Sequence, residues 1–440
     1  MLLNPAPPIR ARSHRNPKGS AAPPPAPWRV VGLCAGIGVF EAAAVQVPGL
    51  VVVAAYDLDP RAVAWHQAAL RATGRPGYPV EVADLTQLER IPPCELVVAG
   101  LPCQPFSGEG TQAGMEDPRG APLWHHTARL AAAAGAQVVL VENVAAATPA
   151  VAAAGAAIFA AAGFPAHQQT IRAASEDGSA QQRSRLWATF SRCPLDWTLP
   201  PGPGPRPLQA FLLTEDDTDL VAPPDTDPEE EEAQILRAAL EPCYLGATHQ
   251  AGLITIRRRK AGQGNRGLRP VPVTHRGTIA ACTASYWKAG GSITVLADRC
   301  LECGYGVTAG DDFLYLTDLD QGEATLPAPA HLFCGCCVQE LAREGSSQWD
   351  PAGETWVAIP PLDLTQPELP DWQRYLQLRL GAGATSCRRF HPRELARFLG
   401  LPDTWPLPAA PGVAARLLGN ALHLPTARRV IARVVEAARR

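Results

Sequence analysis

The chain has 440 residues, 46% of them hydrophobic and 18% charged, with a formal net charge of -3 and a pI near 6.4. That length exceeds what one hydrophobic core organises, so a large domain plus at least one smaller unit is expected. The balance excludes a uniformly basic nucleic-acid coat protein, and no apolar run approaches the roughly 18 residues of a membrane span. An N-terminus with Arg and Pro where a signal peptide needs apolar residues points to a cytoplasmic protein. Twelve unevenly spaced Cys fit a reducing compartment with catalytic and metal-binding thiols better than a disulfide framework.

Residues 1–27 are rich in Pro and Ala without apolar periodicity and are expected to form a disordered tail. From Trp28 to about Phe190, short apolar runs (51–55, 96–99, 137–141 and 186–190) alternate with Ala-rich segments of helical length. This alternation predicts an α/β fold, a mostly parallel sheet with helices on both faces, over residues 28–195. The Pro- and Gly-rich stretch 194–207 then breaks the pattern and marks a boundary. A second region is expected over 196–387, with residues 388–440 returning to complete the first.

Within the first region, WRVVGLCAGIGVFEAA reads as strand, turn with Gly36 and Gly38, and helix, where the backbone can approach a nucleotide-like ligand. The next strand ends in Asp57 and Asp59, about 20 residues on, where a carboxylate can bind ribose hydroxyls. Asp84 follows at a third turn. These turns suit an adenosine-bearing cofactor and leave S-adenosylmethionine and a dinucleotide equally open. In VVAGLPCQPFSGEG, Cys103 sits on a Pro- and Gly-rich loop after a strand, a setting for chemistry and not for a buried structural thiol. AQVVLVENV places Glu142 and Asn143 at another strand end. QQRSRLW then supplies Arg183 and Arg185, which alternate toward one face of a starting strand.

Charge is segregated in the second region. Ten acidic residues lie between Glu215 and Glu232, which predicts a solvated, mobile segment. No Asp or Glu occurs between Glu241 and Asp298, a window that carries Arg257, Arg258, Arg259, Lys260, Arg266, Arg269, Arg276 and Lys288. It reads either as a DNA-facing surface or as a basic loop facing solvent. Beyond it, Cys300 and Cys303 form one CxxC pair and Cys334 and Cys337 a second within CGCC, the spacing of a structural Zn2+ site in an insertion over 299–345. Cys336 can replace either of the second pair, and ordinary free thiols are the alternative.

Nine blocks in order, GLCAGIGVF, YDLD, ADLT, GLPCQPFS, DPRG, VENV, QQRSR, RRFHPRELARFLGLPD and LLGNALHLP, resemble the DNA cytosine-5 methyltransferase family. The resemblance implies a Rossmann-like S-adenosylmethionine-dependent catalytic domain, made discontinuous by a target recognition region over 196–387. It implies that Cys103 is the nucleophile, that Glu142 and Arg185 hold the target base with Arg183 beside them, and that S-adenosylmethionine contacts Cys34, Ala35, Gly36, Ile37, Gly38, Asp57, Leu58, Asp84, Pro102 and Asn420. It further implies a monomer acting on double-stranded DNA, bacterial or phage-encoded, with a cognate restriction endonuclease as a candidate partner. A cytosine-5 tRNA methyltransferase and an inactive DNA-binding relative are the alternatives. Four positions depart from the family's pattern: Gly32 replaces a common Asp, Val39 a Gly, Ala180 a Pro and Gln182 an Arg.

Overall fold

The computed structural model describes residues 26–73, 77–107, 111–117, 120–221, 278–282 and 390–440, together with the backbone of several short strands between 254 and 387. Its centre is a seven-stranded sheet of order β3-β2-β1-β4-β5-β8-β6. The strands are β1 (Trp28–Leu33), β2 (Leu50–Asp57), β3 (Val80–Val82), β4 (Leu96–Gly100), β5 (Val138–Val144), β6 (Ala166–Ala173) and β8 (Ser184–Ser191), with the two-residue β7 (Gln181–Gln182) just ahead of β8. Strands β1 to β5 pair in parallel, whereas β8 runs antiparallel to both β5 and β6. Sequence alternation gives no sign of that reversal, because a strand buried on both faces shows the same apolar run whichever way it points.

Helices α1 (Val39–Ala44), α2 (Pro60–Ala72) and α3 (Ala121–Ala133) follow β1, β2 and β4. After β5 come α4 (Thr148–Ala150), a π-helical turn over 151–155, and α5 (Ala156–Ala161). The C-terminal segment supplies α6 (Pro392–Phe398), α7 (Pro411–Asn420) and α8 (Leu424–Ala438). Apolar residues recur along α8 at helical spacing, and Val430, Ile431, Val434 and Val435 are buried with Phe40, Ala43, Ala44 and Val47 in one core. The last 50 residues of the chain thus complete the layer that covers the first strands. A second core on the opposite face holds Val31, Val97, Val139, Trp124, Phe159 and Phe190, with Phe159 and Phe190 stacked at 4.1 Å.

The Pro-rich stretch that marks a boundary in the sequence lies against the first core, the one that holds α8. Trp197, Leu208, Phe211 and Leu212 are buried in the same cluster as Phe398 and Leu418, because their large apolar side chains outweigh the local breakers. The acidic segment that follows opens in a short 3-10 helix at 215–220, where Asp217 pairs with Arg397 of α6 at 2.6 Å. One buried network fixes α8 to the sheet: Asp177, after β6, accepts from Arg172 and from the Thr426 hydroxyl and is paired with Arg429. Further along, four short strands form an antiparallel sheet in the order 386–387, 330–334, 313–317 and 254–255.

Candidate active site

In a parallel sheet, ligands sit at the carboxyl ends of the strands, where the connections diverge at the point of order reversal. Here that point lies between β1 and β4. A cleft of about 270 Å³ opens there, lined by the loop after β1, residues 57–59 at the end of β2, residues 100–104 from the end of β4, Glu142 and Val144 of β5, and residues 419–422 at the end of α7 and just past it.

The β1 to α1 turn is held by one carboxylate. Asp57 Oδ2 accepts from the main-chain N–H of Gly36 at 2.8 Å, and its Oδ1 accepts from that of Asp59 at 2.8 Å. Gly36 has φ +56 and open space where a Cβ would stand, facing the cleft. Gly38 has φ +87, and a Cβ there would lie 2.3 Å from the His66 ring, so only glycine fits. Gly38 itself does not line the cleft, although Cys34, Ala35, Gly36 and Ile37 do. Gly32 has a reason in the fold. A Cβ at that position would lie 1.8 Å from Oε1 of Glu41, whose buried carboxyl takes up the space that a side chain on β1 needs.

Cys103 is placed by a tight turn in which its carbonyl accepts from the N–H groups of Phe106 and Ser107, both at 2.9 Å. The loop is anchored from β5, since Asn143 Nδ2 donates to the Leu101 carbonyl at 3.2 Å. The β4–β5 register sets Gly100 opposite Glu142, three residues before the thiol. Across β5 and β8, Val144 faces Arg185 and Glu142 faces Trp187, so Glu142 and Arg185 are diagonal neighbours on one face. Their long side chains close that diagonal with Arg185 Nε 3.0 Å from Glu142 Oε1.

The electrostatics follow from burial. Desolvation pushes the Glu142 carboxyl above its ordinary range, with Arg185 and Arg183 acting against it. Desolvation, and then the Glu142 charge, likewise raise the Cys103 thiol against the pull of the same two arginines. Both groups are therefore biased toward their protonated forms in the free protein.

Arg183 lines the cleft, and its Nη1 and Nη2 donate to the carbonyls of Cys282, Gly419 and Ala421, while its buried Nε has no partner among the described residues. Pro102, Asp57, Leu58 and Asn420 all line the cleft, and Leu58 is 67% exposed. Asp84 does not line it. Its exposed carboxylate accepts from the N–H and hydroxyl of Thr86. Sequence reasoning gave no role to the Asn143 anchor or to Phe40, and it read Asp59 as a candidate for ribose hydroxyls and not as the carboxylate that caps α2 at Arg61 and faces Arg416 of α7 at 3.6 Å. An Asp before a Pro at a strand end was the available signal for that cap.

The side chains of the basic residues from Arg257 to Lys288 and the thiols of Cys300, Cys303, Cys336 and Cys337 lie outside the described residues, and of Arg269 and Cys334 only the backbone, within a strand, is described. Among the described residues no group of three or more His, Cys, Asp or Glu side chains could hold a metal ion, and no helix is long and apolar enough to cross a membrane.

Residues 28–235 match the family model for C-5 cytosine-specific DNA methylase. A type II methylase, M.HgiEI of Herpetosiphon aurantiacus, is 32% identical over 117 residues, which is 27% of this chain and 26% of that protein. M.AluI of Cellulosimicrobium cellulans, a type II methyltransferase, is 33% identical over 130 residues, 27% of this chain and 23% of its own length. The chain thus matches about a quarter of the length of these curated relatives. Among solved structures, a DNMT2 variant of Spodoptera frugiperda aligns with TM-score 0.52 at 16% identity, covering 92% of this chain and 99% of that one. The Entamoeba histolytica methyltransferase EhMeth aligns with TM-score 0.51 at 12% identity, covering 93% and 98%. These two share the fold, a mixed, mostly parallel sheet with helices.

Proposed function

We propose that this chain, a member of the C-5 cytosine-specific DNA methylase family through residues 28–235, methylates C5 of a specific cytosine in double-stranded DNA with S-adenosylmethionine as methyl donor. One observation carries the reading: Cys103 from the loop after β4, Glu142 from β5 and Arg185 from β8 line the same cleft as the Gly36 turn and Asp57.

The cleft's donor set fits the cofactor. Gly36 leaves open space above the turn, Asp57 and Asp59 offer carboxylates to ribose hydroxyls, and Leu58 presents apolar surface to a purine. Bound there, S-adenosylmethionine supplies an electrophilic methyl group on a sulfonium.

The chain's own residues make cytosine C5 reactive. A stacked base hides C6, so the target has to be flipped into the cleft, at a cost of roughly a few kcal/mol. Arg185 and Glu142 then bracket its Watson–Crick edge, the guanidinium toward O2 and the carboxyl toward N3. Because burial favours a protonated Glu142, its proton can be shared with N3, which drains electrons from the ring and makes C6 electrophilic. Burial holds the Cys103 thiol up, and a neutral Glu142 removes the charge that adds to it, so the pull of the two arginines toward thiolate is less opposed. The Cys103 Sγ–C6 bond then forms, and the ring's electron pair becomes available at C5. After methylation, loss of the C5 proton and cleavage of the Sγ–C6 bond return the free thiol.

The same reading assigns the basic window to phosphate contacts and Cys300, Cys303, Cys334 and Cys337 to one structural zinc ion, supported by charge segregation and by the two-pair spacing. The type II names of the relatives support a restriction endonuclease of matching specificity as partner.

Bisulfite sequencing of DNA from cells expressing the protein tests the function and reports the target sequence. Methylated cytosines at one recurring sequence are expected, absent with Cys103→Ser, and the wild type should form a covalent adduct with DNA containing 5-fluorocytosine. Methyl marks confined to RNA, or methylation that survives Cys103→Ser, would refute the assignment.

A further inference from the structure

Arg183 occupies the break between β7 and β8. There the chain passes from its pairing with Ile279–Ala280 into the large sheet. Its side chain is 3% exposed, with the charges of Arg185 and Glu142 close by. The guanidinium fork donates to three main-chain carbonyls: Cys282 at 3.2 Å, Gly419 at 2.8 Å, and Ala421. Gly419 belongs to the last turn of α7, whose carbonyls have no partner within the helix, and Ala421 is the first residue beyond it. A cation is favoured at that end of the helix dipole. Asn420, between the two bonded carbonyls, lines the cleft. Cys282 does not line it; it follows the strand at 279–280, inside the region read as target recognition. A single buried side chain therefore joins a lip of the cleft to a segment outside it.

We propose that Arg183 is a positioning residue that couples residues 279–282 to the cleft lip at Asn420, so that cofactor binding orders that part of the recognition region and DNA on that region tightens the cofactor site. The inference rests on the reading of the cleft as an S-adenosylmethionine site. The physical content is reciprocity: if filling the cleft fixes the 419–421 backbone, the same fork fixes the Cys282 carbonyl, and any ligand that fixes Cys282 favours the filled lip equally. Lysine cannot replace the fork, because its ammonium is a single point on a flexible stem and does not span three carbonyls of separate segments.

Hydrogen exchange with S-adenosylhomocysteine as the probe tests this on the full chain without needing the target DNA. In the wild type the probe should slow exchange at 34–38 and 57–59, which marks binding, and also several-fold at 279–282, where Ile279 N–H is bonded to the Ala180 carbonyl. In Arg183→Lys, with the probe at saturation, protection at 34–38 should persist while the effect at 279–282 disappears. A residue that merely braces the fold would give no probe-dependent change at 279–282. Exchange at 279–282 that ignores the probe in the wild type, or responds equally in the variant, overturns the coupling. Absence of protection at 34–38 overturns the cofactor reading and the coupling with it. Should the variant fail to fold, the wild-type response at 279–282 decides alone.

Discussion

Replacing Glu41 by Gln should stabilise the protein, and increasingly so as the pH rises. Glu41 projects from α1 toward β1, is 0% exposed, and has no hydrogen-bond partner on another residue for either carboxylate oxygen among the described residues. Burial, reinforced by the charge of Asp57 and only partly offset by its own main-chain N–H, pushes its pKa up to about 8 from the ordinary 4.5. A carboxyl whose pKa is higher in the folded than in the unfolded state binds more protons when folded, so stability is full below pH 4.5 and falls as the pH climbs through about 8. Each pH step between those values costs about 1.4 kcal/mol, or about 3 kcal/mol by pH 7. Gln has nearly the same shape and an equally unpartnered polar end, so the comparison isolates the ionisation. His66 and Tyr78 are also close to this site, and His66, with its pKa lowered to about 4 by burial, gives a slope of opposite sign up to about pH 6.5. Both proteins carry His66, so its contribution cancels in the difference. Urea unfolding followed by tryptophan fluorescence should show the variant and the wild type alike near pH 4.5, with the variant ahead by about 3 kcal/mol at pH 7. Equal stability at pH 7 and above would show that Glu41 carries no burial penalty and refute the reasoning.

Three further outcomes are expected. Asp177→Asn leaves Arg172 and Arg429 facing a neutral amide in a buried site and should cost about 3 kcal/mol, read as a lower urea midpoint with α8 the first element to lose exchange protection. Metal analysis of purified protein should find about one zinc per chain, lost on changing Cys300 and Cys303 to Ser while S-adenosylmethionine binding is retained; metal-free protein of unchanged stability and activity would remove that site. Changing Arg257, Arg258, Arg259 and Lys260 to Ala should weaken DNA binding and flatten its salt dependence by about one counterion per lost phosphate contact, and an unaltered slope would place those charges away from DNA.

The sequence alone specified the alternation of β1, β2, β4 and β5 with helices, the turn at Gly36 and the loop that carries Cys103. Each of these is encoded locally, by apolar runs of strand length or by glycines and prolines that leave the backbone few choices. The types of residue at Cys103, Glu142 and Arg185 were legible as well, through the order of their motifs. What they touch was not. The Glu142–Arg185 pair depends on the antiparallel register of β8 against β5, and the Asn143 bond to Leu101 depends on β4 lying beside β5. Arg183 sits two residues from Arg185 in the same motif, yet its fork meets carbonyls about 100 and 240 residues away, a fact that no local pattern encodes. Gly32 and Glu41 make the same point: on their own, one looks like a departure and the other like an ordinary first-turn acid. Only the packing of α1 on β1 makes them halves of one fit, because side-chain volume is shared across space and a sequence lists it one residue at a time.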